Sequence, residues 1–81
     1  MTDRDPRFHG LLTAQDEIYQ WFKQNPGEHH RMDLNAGILA QHPKWADRAM
    51  NNLVFSRSLT KTFVDHGDPQ GRRAGAYYRL A

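Results

Sequence analysis

The hydrophobic period of this chain changes once, at Ser56-Arg57-Ser58, and that change limits the folds open to it. Before it, apolar residues recur at helical spacing; after it, they alternate. LTKTFVD (59–65) sets Leu59, Lys61, Phe63 and Asp65 against Thr60, Thr62 and Val64. AYYRL (76–80) sets Ala76, Tyr78 and Leu80 against Tyr77 and Arg79. Threonine, valine and aromatic residues favour strands. The intervening HGDPQGRRAG is too long for a two-residue turn but rich in glycine and proline. The pattern predicts helices followed by a β-hairpin with a long basic tip, an α+β chain.

Upstream, Leu12-Thr13-Ala14-Gln15-Asp16 reads as a helix start, with Thr13 as the cap and Asp16 bonding back to it. Asp16 and Glu17 would then lie in the first turn, where the helix dipole favours negative charge. Ala14, Ile18, Trp21 and Phe22 form one apolar stripe, and Asn25-Pro26-Gly27 ends it. A brief extended piece fits His30–Met32. Leu34, Ile38 and Leu39 mark a short helix from about Asp33 to Gln41, weakened by Gly37. His42-Pro43 stops it. From Lys44, residues Ala46, Ala49, Met50 and Leu53 share one face of a third helix, and Lys44, Arg48 and Asn51 the opposite face, flanked by Asp47 and Asn52. Phe55 falls on the polar side and does not fit the pattern.

Eighty-one residues make one domain, which buries only about 60% of its unfolded surface or slightly more. Trp21, Phe22 and Trp45 are therefore expected in the core. Residues 1–12 read as a flexible arm and 13–81 as the folded domain. The chain has no cysteine, which removes disulfides and thiolate metal ligands and suits a reducing cytoplasm. MTDRDPRFHG has no apolar run, so neither a secretory signal nor a membrane anchor is expected. No window approaches the ~20 apolar residues of a membrane-spanning helix.

The formal charge of +2 is unevenly spread. Residues 1–40 hold four Lys/Arg against six Asp/Glu, a net of −2; residues 41–81 hold seven against three, a net of +4. A basic second half points to a polyanionic partner, with a merely solvated surface as the plain alternative.

The order helix, extended piece, helix, turn, helix, hairpin resembles the winged helix-turn-helix family of DNA-binding domains. The similarity covers about residues 13–80, with ILAQHPKWADRAMNNL as the helix-turn-helix and YYRL closing the final strand. Two departures stand out: a proline in the turn QHPK, and Ser58 where a glycine often follows the recognition helix. The resemblance implies that the helix from Lys44 to about Phe55 enters the major groove of double-stranded DNA. Lys44, Arg48, Asn51 and Asn52 would face bases or phosphates, and Asp47 would accept from cytosine N4 or set register. Arg72 and Arg73, between Gly71 and Gly75, would reach the minor groove or phosphates from the wing. Arg57 and Lys61 would position the backbone. Phe63, Tyr78 and Leu80 would anchor the hairpin on the helices.

These residues predict a small transcriptional regulator or accessory DNA-binding factor in the cytoplasm, without enzymatic activity, cofactor or small-molecule ligand. The alternative is a winged-helix module whose face serves a protein partner or a second copy of the chain. The five histidines offer no metal spacing: His29 and His30 are adjacent, so on a strand they point to opposite faces. No P-loop, G-x-G-x-x-G or G-x-S-x-G is present. A third reading, a small ribonuclease toxin, would use His29 or His30 with Arg31.

Overall fold

The computed structural model describes residues 9–65 and 71–81. The first helix, α1 (His9–Gln24), begins four residues before Thr13. Thr13 is therefore not its cap, Asp16 and Glu17 lie beyond its first turn, and residues 9–12 belong to the helix rather than to an arm. The remaining arm residues, 1–8, lie outside the described residues. The cause is Leu11, which adds a turn to the stripe: Leu11, Ala14, Ile18 and Phe22 are all buried. Gly10 lets this added turn approach Trp45, whose Nε1 lies 2.5 Å from where a Cβ would stand. At the other end Asn25 donates twice to Trp21 O, through its backbone N–H and its Nδ2, both at 2.9 Å. Pro26 and Gly27 then turn the chain away, as expected.

A two-residue strand, β1 (His29–His30), leads directly into α2 (Arg31–Ala36). His30 caps α2, its Nδ1 accepting from the Met32 N–H at 3.0 Å. The single helix predicted over 33–41 is two pieces. Gly37 interrupts it, and Ile38–Gln41 form a separate 3₁₀ turn. Leu34, Ile38 and Leu39 are nevertheless buried together, as their spacing required. The third helix, α3 (Ala46–Phe55), starts two residues later than predicted, with Trp45 at its N-cap. Lys44 thus sits in the preceding turn, not on the helix. Ala46, Ala49, Met50 and Leu53 face the core.

Two six-residue strands follow, β2 (Leu59–Val64) and β3 (Gly75–Leu80), paired antiparallel from Leu59↔Leu80 to Val64↔Gly75. The first half of the predicted hairpin tip, 66–70, lies outside the described residues. β1 pairs with the other edge of β3, His29↔Tyr78 and His30↔Tyr77, giving the order β1-β3-β2. The result is an α+β domain of three α-helices and a three-stranded antiparallel sheet. One face of the sheet supplies Leu59 and Tyr78 to a core completed by α1, α2, the 3₁₀ turn and α3. Full burial of a side chain such as Phe22 or Ile18 contributes about 1.5–3 kcal/mol. Trp21, Trp45 and Leu80 pack against its margin. Phe63 does not anchor the hairpin: it has the same parity as Leu59 but remains 71% exposed. Among the described residues no helix is long and apolar enough to cross a membrane.

Candidate nucleic-acid interface

Helix α3 turns one edge to solvent. Arg48, Asn51 and Phe55 follow at i, i+3 and i+7, all exposed, with Phe55 at 91%. Phe55 keeps the place on the polar side that its position in the helical period dictated. Lys44 lies just before this edge, its Nζ 5.3 Å from the centre of the Trp45 ring. Asn52 and Asp47, also predicted contact residues of α3, make contacts within the domain. Asn52 is half-buried and donates from Nδ2 to Gln15 Oε1 at 2.8 Å, tying α3 to α1. Asp47 forms an ion pair with Arg31 of α2.

The sequence suggests for Arg31 only the role of a ribonuclease cation, yet it links several elements. Its Nε donates to Asn35 Oδ1 at 2.9 Å, and Nη1 reaches the Tyr78 hydroxyl at 3.4 Å. Its guanidinium lies 6.0 Å from the Tyr78 ring centre, and Lys61 Nζ lies 5.9 Å from the same ring. Lys61 and Tyr78 are also cross-strand neighbours. Asp47, Arg31, Tyr78 and Lys61 therefore connect the start of α3 to the ribbon. Arg57 is exposed just past α3 in a left-handed conformation, with φ of 65°.

The two wing arginines both meet carboxylates. Arg72 Nη1 donates to Glu28 Oε1 at 2.6 Å, and its guanidinium lies 5.3 Å from the Tyr77 ring centre. Arg73 Nη2 donates to Asp33 Oδ2 at 2.8 Å. Their backbone is fastened separately. Tyr77 donates its hydroxyl to Arg73 O at 3.0 Å, and His30 Nε2 bonds Ala74 O at 2.8 Å. Because His30 Nδ1 accepts from an N–H, the ring proton belongs on Nε2. Gly75 follows at φ 135°, where an added Cβ would stand 2.5 Å from that same Nε2. Glu28 received no role in the sequence reading, and Asp33 only that of a helix start. The signal for both is the charge division between the two halves, which in the sequence reads as attraction for an outside partner or as a solvated surface.

His29 and His42 have local tasks. His29 packs edge-on against Trp21 and Phe22, with ring centres 4.8 and 5.6 Å away, and its Nε2 lies 2.7 Å from Asn25 O. His30 lies against Tyr77 instead, so the pair points to opposite faces as a strand requires. His42 Nε2 meets Glu17 Oε1 at 2.8 Å. Among the described residues no group of three or more His, Cys, Asp or Glu is placed to hold a metal ion. Comparison with known proteins finds no matching family model, no matching curated protein and no matching solved structure.

Proposed function

We propose that this protein binds double-stranded DNA as a winged helix-turn-helix domain, with α3 as the recognition helix and the β2–β3 ribbon as the wing. In this reading it works in the cytoplasm as a small transcriptional regulator or accessory factor. The observation that carries it is the exposed edge of α3, where Arg48 and Asn51 stand on one stripe next to Lys44. Arginine can bond guanine O6 and N7 together, and asparagine adenine N6 and N7. Support also comes from the element order, in which the β2–β3 ribbon follows α3 directly and β1, ahead of α2, pairs with β3. Asn52 and Asp47, held by Gln15 and Arg31, set the posture of α3 in this scheme rather than reading bases.

Titration with duplex DNA tests the proposal. Affinity should fall with salt at a log–log slope near −0.9 per neutralised phosphate. Arg48→Ala or Asn51→Ala should relax preference at particular base pairs by about 1–3 kcal/mol, whereas Arg72→Ala with Arg73→Ala should weaken binding to all sequences. Absence of any duplex binding at low salt overturns the reading.

A second reading, a protein-binding face, is favoured by one specific observation. Phe55 is almost fully exposed on the same stripe as Arg48 and Asn51. Burying a phenyl ring at an interface is a common source of binding energy between proteins. Retention of a partner by the wild type and its loss on Phe55→Ala, in a protein indifferent to DNA, would select this reading.

A further inference from the structure

We propose that Glu28 and Asp33 form an internal competitor for DNA phosphates, holding the wing arginines in ion pairs that a duplex must displace. This rests on the duplex-DNA reading and adds a restraint on the same site. The two pairs, at 2.6 and 2.8 Å, have the length of charge-assisted hydrogen bonds. A guanidinium offers carboxylate and phosphate the same planar fork, so each carboxylate occupies a position that a phosphate oxygen can take.

The backbone beneath is arranged for such an exchange. Arg73 O and Ala74 O are held by Tyr77 and His30, and Gly75 lies tight against the His30 ring. None of these contacts uses the guanidinium groups or the carboxylates. Both arginines can therefore change partner while residues 73–75 stay in place. The pairs are also within reach of an incoming strand: the Arg73 and Asp33 side chains are 56% and 65% exposed, those of Arg72 and Glu28 36% and 28%. Exposed pairs of this kind are weak, so phosphates can displace them. Breaking each pair offsets part of what the arginine gains from a phosphate, which keeps affinity below what unpaired arginines would give.

Fluorescence anisotropy with a random-sequence duplex tests this on the whole chain. The set is wild type, Glu28→Gln, Asp33→Asn and their combination, each repeated with Arg72→Ala and Arg73→Ala. Neutralising each carboxylate should tighten binding about two- to fivefold at low salt. The gain should shrink as ionic strength rises and exposed charges are screened. It should vanish without the arginines, as a double-mutant cycle requires of a direct coupling. Asp33 sits in the first turn of α2, whereas Glu28 lies outside every helix, so Glu28→Gln reports without disturbing a helix dipole. Thermal melts confirm that each variant is folded. A wild type that binds DNA no more weakly than the neutralised variants overturns the inference and leaves the DNA reading standing. So does a gain that persists without the arginines. If neither wild type nor any variant binds at low salt, the DNA reading fails and the competitor fails with it.

Discussion

Arg57 occupies a position where helices commonly end on glycine. Its N–H bonds Val54 O at 3.0 Å, and the Ser58 N–H bonds Leu53 O at 2.9 Å. These two bonds around a left-handed residue make a Schellman ending for α3. A non-glycine residue in that conformation costs about 1–2 kcal/mol. Arg57→Gly should therefore raise the unfolding free energy by about 0.5–1 kcal/mol, part of the relief being offset by the looser unfolded chain. The midpoint of a urea melt reads this directly. Under the proposed function the same variant should bind duplex DNA less tightly, so stability and affinity would move in opposite directions. In the sequence, the missing glycine is assigned to position 58. The left-handed residue is in fact one earlier, and nothing in the side chain of an arginine marks such a backbone. Asn52 illustrates the same limit. Its helical position is clear from spacing, but its partner, Gln15, lies on another helix.

Among the elements, those with long, regular periods were legible and the short ones were not. The stripe of α1 and the inner face of α3 follow from spacing alone, because four buried residues on each helix repeat the signal. The start of α1 is obscured by a plausible cap at Thr13, which Leu11 outweighs through burial. β1 is two residues long, so its pairing with β3 depends on tertiary contact that no local pattern announces. Alternation assigns Phe63 to the same face as Leu59 but cannot say which positions on that face are covered. The junction of β1, α2 and β3 concentrates several demands on Gly75, which must hold φ 135° and leave room for His30. Gly75→Ala should cost about 2–4 kcal/mol, from backbone strain and from the clash with His30 together. Chemical denaturation measures the loss, and the protection of the Met32 amide against hydrogen exchange should fall with it as the His30 cap is displaced.

Over the whole molecule, the acidic and basic halves of the chain are joined to each other. Glu17 meets His42, Glu28 meets Arg72, Arg31 meets Asp47 and Asp33 meets Arg73. Each contact links a residue before position 41 to one after it. Sequence separates charges only along a line, so it revealed the imbalance and concealed the pairing. The pair of Arg73 with Asp33 is exposed on both sides, and a pair of this kind is worth at most about 1 kcal/mol. Added salt should thus shift the melting temperature little while reducing duplex affinity steeply. A parallel loss of both would point to charge pairs that support the fold rather than a polyanion site.

The order β1-β3-β2 also bears on how the chain is made. The middle strand is the last of the three to leave the ribosome. Until Gly75–Leu80 emerge, β1 and β2 have no common neighbour, and the underside of the sheet lacks Tyr78. The apolar surface that Tyr78 covers stays open until that strand arrives.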